Sequence, residues 1–306
     1  MGMAIIMVML SHLLSVCKEV KPFWLFYPGF LGVDIFLFLS GYGLCRSWES
    51  HTPATFYRRR LWRILPLFLL FQAFTTVSQA AISGNLTWAD AACNLTTLSF
   101  WHLGGTCSEW YLSFLLYLYL LFPLLYALTR KAGPALLYLQ LLLLVLWQWS
   151  ADTAWNYDAA FSRLPIFTLG ILCHQSPAPN QLFRRATVPF TLSLLAFILL
   201  FIRQRAEKYE IVYMAAPLCI AALTYASSAI VARKGMTYRL ISRLGTLSLE
   251  LYVANMMVVS LLQQASLTTL PRIAAYLALQ IILTLLLHAV NAGIQKIPQR
   301  EVRRTP

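Results

Sequence analysis

The sequence predicts an all-α, polytopic integral membrane bundle of about ten transmembrane helices, and three observations carry that reading. Hydrophobic residues make up 59% of the 306 positions and charged residues only 11%, with a mean hydropathy of +0.66. A water-soluble surface needs roughly a quarter of its residues charged, so lipid must be the solvent for most of this chain. The apolar residues also gather in runs of about twenty, the length that crosses a bilayer as a helix. Finally, the basic residues sit between those runs and favour one set of loops. Soluble enzymes, disordered chains, coiled coils and secreted disulfide scaffolds are excluded together.

The runs cover roughly 2–17, 28–47, 61–82, 107–129, 134–150, 160–174, 187–203, 211–231, 244–264 and 272–294. The first is built of Met, Ile, Val and Leu around His12. The second carries Asp34, Ser40 and Tyr42 among glycines that let backbones approach closely. The third follows an arginine-rich mouth, Phe56 to Pro66. A long loop from Ser83 to Gly105, without Lys or Arg, leads to the fourth, which opens on Glu109 and Trp110 near the outer surface. The fifth contains Leu141 to Leu146, which does not alternate and so argues against a barrel. In the sixth, Arg163 stands two residues before Pro165, where a proline frees a backbone carbonyl. The ninth holds Tyr252 and Asn255, and the tenth closes the bundle.

Seventeen of the 24 Lys and Arg residues fall in or at the edge of one set of loops, six (Lys18, Lys21, Arg203, Arg205, Lys208 and Arg272) in or at the edge of the other, and Arg163 lies well inside a span. That bias predicts both termini in the cytoplasm. The net charge of +13 is therefore a matter of topology and gives no reason to expect nucleic acid, which needs a basic patch on a soluble face. The six cysteines show no metal-ligand spacing and no CxxC, so no metal site is expected. Cys93 and Cys107 flank the long outer loop, where a disulfide and two thiols both remain open. Met1 to Cys17 has neither a basic leading region nor a cleavage site, and no signal peptide is expected.

Ionisable groups inside spans are costly and therefore point to function. The His12 imidazole is suited to general base work near neutral pH. Asp34 has the chemistry either to orient a histidine or to pair with Arg163. Arg60 and Arg63, three apart on one helix face, join Arg59 at the mouth of the third span. Guanidinium groups grip phosphates in bidentate fashion. A positive-inside signal explains their charge, but not so many arginines without a lysine.

In their order along the chain these residues resemble the acyltransferase 3 family, the transmembrane acyltransferases of bacterial envelopes. Ala4 to His12 is similar to the end of its first helix. Gly-x-x-Gly-Val-Asp-x-Phe with Leu-Ser-Gly-Tyr, at 29–42, resembles the second. Phe-x-x-Arg-Arg-x-x-Arg-Ile-x-Pro, at 56–66, resembles the mouth of the third. Leu244-Gly-Thr-Leu-Ser-Leu-Glu-Leu-Tyr-Val-Ala-Asn255 resembles a late helix, and Trp110-Tyr-Leu and Arg163 to Gly170 are fainter echoes.

The resemblance implies a single transmembrane acyltransferase domain over 1–306 in the bacterial cytoplasmic (inner) membrane. It implies transfer of an acyl group, usually acetyl, from cytoplasmic acyl-CoA to a sugar hydroxyl of a surface polysaccharide or lipid-linked glycan. Acyl-CoA is then a donor substrate, and no resident cofactor is implied. His12 and Asp34 are the implied catalytic residues, and Arg59, Arg60 and Arg63 the acyl-CoA-binding ones. Ser40, Tyr42, Glu109, Trp110, Arg163, Tyr252 and Asn255 fall along the substrate passage.

Two departures stand out. The family pairs its histidine with an arginine eleven residues earlier, about 16 Å along one helix face, and Met1 occupies that position. A chain that begins late and a member without the arginine both account for it. Asn255 stands where many members have histidine, and an amide exchanges no proton. A transporter or glycan flippase without acyl transfer is the alternative, since it too needs many spans with buried ionisable groups.

Overall fold

Hydrocarbon offers no water to a backbone amide, so spans of this composition must satisfy their own hydrogen bonds as helices. The computed structural model describes residues 1–17, 27–103, 110–150, 155–176 and 235–302. Eleven α-helices, one short 3-10 turn and no strand occur among them. They are α1 (Gly2–Val16), α2 (Tyr27–Glu49), α3 (Pro53–Ser83), α4 (Trp88–Leu95), α5 (Trp110–Ala132) and α6 (Pro134–Ser150). There follow α7 (Trp155–Phe161), α8 (Leu164–Gln175), α9 (Met236–Thr246), α10 (Ser248–Gln264) and α11 (Thr269–Val302). The expected spans 187–203 and 211–231, together with Glu109 and Cys107, lie outside the described residues. Cys93 has a thiol hydrogen bond to the Leu103 carbonyl, 3.7 Å away.

Each of the eight expected spans on described residues is a helix or a broken pair of helices. Among the described residues, three helices are long and apolar enough to cross a membrane: Pro53–Ile82, Trp110–Ala132 and Thr269–Gln295. The α9–α10 pair makes a fourth if its 71° bend is one span. Helix α1 has 15 residues, about 22 Å at the helical rise, which is shorter than a hydrocarbon core of about 30 Å.

The breaks have local causes. Pro165 lacks an N–H and cannot continue a helix from α7, so α8 starts afresh with Arg163 as its N-cap residue and the proline in its first turn. Between α9 and α10, the Thr246 hydroxyl donates to the Arg243 carbonyl at 2.7 Å, a back-bond of the kind that bends helices.

The chain divides into two units, one of Met1–Phe30, Tyr57–Ser113 and Leu240–Pro306, the other of Leu31–Phe56 and Phe114–Arg239. In the first, α1 buries Ala4, Ile5, Val8 and Ser11, a face of helical spacing. Val16, Val258, Val259, Leu262 and Tyr276 form a core shared by α1, α10 and α11. Arg272, counted among the outer-loop charges, is buried. Its guanidinium donates to the carbonyls of Val16 at 3.3 Å and Ala265 at 3.2 Å, groups that a helix end otherwise leaves without partners.

In the second unit, α2 and α8 cross at two glycines. A Cβ on Gly41 would run into the Phe167 carbonyl, and one on Gly170 into the Phe38 carbonyl. Phe56 stacks on Phe122 at 5.5 Å between centroids, with Trp48 edge-on to Phe56 at 5.2 Å. The crossing predicts that Gly41→Val or Gly170→Val lowers the thermal midpoint of the detergent-solubilised protein, at a cost of about 1–3 kcal/mol or more. Gly43→Val, where a Cβ meets nothing within 4 Å, serves as the control and leaves the midpoint in place. Equal midpoints for all three variants contradict the crossing.

Candidate active site

In the first unit, His12 sits one position beyond the buried Ser11 on α1 and is half-buried. Its Nδ1 is hydrogen-bonded to Asn255 Oδ1 on α10. The Asn255 amide nitrogen donates to the Tyr276 hydroxyl on α11, and that hydroxyl donates to the Met9 carbonyl at 2.9 Å. The path leaves α1 at His12, crosses two helices and returns to α1 one turn earlier. Asn255 is 0% and Tyr276 1% exposed, so this is an interior network, where an unsatisfied group costs most.

Tyr252 is buried one turn before Asn255, its ring 4.9 Å from that of Tyr111. Trp110 meets Tyr111 edge-on at 5.9 Å and is buried. Arg59, Arg60 and Arg63 stand in the second and third turns of α3, with Arg60 half-buried and the other two exposed. The first turn of α3 carries no acidic residue. Cations near a helix N-terminus oppose the macrodipole, so this end of α3 is strongly electropositive.

In the second unit, Asp34 meets Arg163, with Oδ1 2.8 Å from Nε. Asp34 is 1% and Arg163 0% exposed. Arg163 Nη1 also donates to the Ala159 carbonyl. The break before α8 accounts for this placement, because it sets Arg163 at a helix start, beside α2. Ser40 is half-buried and Tyr42 is exposed, the latter edge-on to His174 at 5.2 Å.

Several partners escaped the sequence reading. Glu49 accepts from the Tyr126 hydroxyl at 2.7 Å and lies 3.0 Å from His174 Nε2. The Tyr126 hydrogen bond, then that of His174, holds the Glu49 carboxyl below its ordinary range. A depressed carboxyl pKa favours the folded state above the ordinary value, and the benefit fades as the pH falls through the lowered one. Glu250 is buried and accepts from Asn291 at 2.7 Å, with His288 Nδ1 3.8 Å away. On α11, Arg272, Tyr276, Gln280 and Thr284 are all buried. Their four-residue spacing puts them on one face. That spacing was the available signal, and the high mean hydropathy of the helix hides it.

The family model described as an acyltransferase domain matches residues 2–289, from the start of α1 well into α11. The chain belongs to the acyltransferase 3 family. No match was found among curated proteins or among solved structures. The acyltransferase 3 match and the apolar helices together make the chain a membrane acyltransferase. It spans both units, so the His12 network and the Asp34–Arg163 pair both fall within the family domain.

Removing one partner of a buried ion pair strands the other charge, at about 3–5 kcal/mol. Asp34→Asn therefore lowers the thermal midpoint in detergent sharply, and the joint change Asp34→Leu with Arg163→Met recovers much of the loss. A double variant no better than Asp34→Asn alone counts against the pair as the source of the effect.

Proposed function

We propose that this protein moves an acyl group, acetyl in the simplest case, from cytoplasmic acyl-CoA to a sugar hydroxyl of a surface polysaccharide or lipid-linked glycan. The site of action on this reading is the bacterial cytoplasmic membrane. The observation that carries it is the hydrogen bond from His12 to Asn255 in a chain of this family. An imidazole held through Nδ1 keeps Nε2 available to accept a proton, the arrangement of a general base.

In the proposed reaction His12 Nε2 takes the acceptor hydroxyl proton as the oxygen attacks the thioester carbon. The carbon–sulfur bond breaks, and CoA departs as the thiol after receiving that proton. Arg59, Arg60 and Arg63 bind the CoA phosphates, which suits guanidinium geometry and the electropositive start of α3. Tyr252 and Trp110 contribute apolar, partly polar walls, and Asn255 orients His12. Asp34 and Arg163 neutralise each other within their own unit, and Ser40 and Tyr42 keep the passage role that the resemblance implies for them.

Acetyl-CoA binding to the purified protein in detergent, paired with release of free CoA thiol on addition of a bacterial lipid-linked glycan extract as acceptor, tests the reading. Joint replacement Arg60→Ala with Arg63→Ala weakens binding roughly tenfold or more, since each lost charged hydrogen bond is worth about 1.5–3 kcal/mol. His12→Ala binds acetyl-CoA as the parent does but releases thiol about 10²–10⁴ times more slowly. Full activity in His12→Ala, or no acetyl-CoA binding by the parent, overturns the proposal. In the latter case the transporter reading takes its place.

A further inference from the structure

The network around His12 has a direction, and the direction comes from a main-chain carbonyl. The Met9 oxygen can only accept. The Tyr276 hydroxyl owns one hydrogen and spends it on Met9 at 2.9 Å, so toward Asn255 it can only accept as well. That obliges Asn255 to turn its NH₂ to Tyr276 and its Oδ1 to His12. An amide oxygen accepts only. His12 Nδ1 must therefore carry the ring hydrogen, and in the neutral imidazole Nε2 carries the lone pair.

With Tyr276 silent, Asn255 loses its reason to choose. An amide rotated by half a turn has nearly the same shape, but it would present NH₂ to His12. It would then stabilise the opposite tautomer, with the lone pair at Nδ1 and the hydrogen at Nε2. We infer that Tyr276 is a positioning residue: by anchoring its hydrogen on Met9 it sets the orientation of Asn255, and through it the tautomer of His12. The anchor is three residues from His12 on the same helix, so the histidine's own backbone helps to choose its proton. Burial makes the choice firm, because the network lies inside the packing of α1, α10 and α11 and a misdirected bond there is not replaced by one to bulk solvent. The effect on catalysis rests on the proposed role of His12; the effect on the tautomer does not.

The test reads both. Protein labelled with ¹⁵N-histidine, in detergent and in alkaline buffer that keeps imidazoles neutral, gives the tautomer of each ring by NMR, and His12→Gln identifies the His12 signals. The parent shows His12 with its hydrogen on Nδ1. Tyr276→Phe shifts it toward the Nε2–H form and slows thiol release from acetyl-CoA, with the glycan acceptor present, roughly five- to tenfold, the scale of one lost hydrogen bond, with KM within about twofold. A purely structural role for Tyr276 predicts no rescue. The orientation role predicts that Asn255→Asp combined with Tyr276→Phe restores the Nδ1–H form, because a carboxylate accepts through either oxygen. A parent His12 with its hydrogen on Nε2, or a Tyr276→Phe protein with unchanged tautomer, overturns the inference. If the tautomers behave as expected while the parent releases no thiol, the assignment of Tyr276 to the tautomer stands and the acyltransferase mechanism proposed for His12 fails.

Discussion

A polar group inside a bilayer-embedded bundle has no bulk water to fall back on, and that constraint organises both units. Backbone groups meet it by forming helices. Side chains meet it by finding each other. In the first unit the His12–Asn255–Tyr276–Met9 path and the Glu250–Asn291 bond link α10 to its neighbours. In the second, the buried Asp34 carboxylate and Arg163 guanidinium neutralise one another. Such bonds contribute modestly to stability in measured cases, but leaving one partner alone is costly, so they select one register of helix against helix.

Van der Waals packing then has to bring the helices close enough for those short side chains to meet, because lipid supplies no hydrophobic drive between them. Gly41 and Gly170 allow it in the second unit, each facing a main-chain carbonyl of the other helix. Gly2 and Gly245 do the same where α1 meets the α9–α10 segment, with Gly2 against the Ile241 backbone. Small residues and polar pairs thus act on the same contacts. The glycines set the distance and the polar groups set the register.

Composition and run length make the helices legible, and the ionisable-in-membrane rule marks His12, Asp34 and Arg163, each of which has a polar partner within its own unit. The breaks were only half legible. Pro165 announced a freed carbonyl, but nothing local said that α7 and α8 would separate there and leave Arg163 as a helix cap. Arg272 was read as a loop charge because it lies at the edge of an apolar run. Its long stem lets the guanidinium turn inward to two helix ends, which residue type and position along the chain do not reveal. Tyr276 was hidden for another reason: a single hydroxyl among leucines barely alters the mean hydropathy of a span. Only its four-residue spacing from Arg272 and Gln280 marks it, and that pattern means little until a neighbour such as Asn255 is known to face it. Glu109, on the other hand, lies outside the described residues, and its place in the passage rests on the resemblance alone.

The asparagine at position 255 gains a physical sense from this arrangement. A histidine there would be a second titrating ring, and two coupled rings share their protons as a pair. An amide cannot ionise, so it transmits orientation without transmitting charge. It is also symmetric enough to point either way, and it needs an outside reference to be useful. Tyr276 supplies that reference, and the Met9 carbonyl supplies it to Tyr276. A chain with asparagine at this position therefore gives up proton exchange between two side chains and keeps directional control over one, provided the tyrosine is present on the facing helix. The two residues form one device split between α10 and α11, and neither explains the state of His12 by itself.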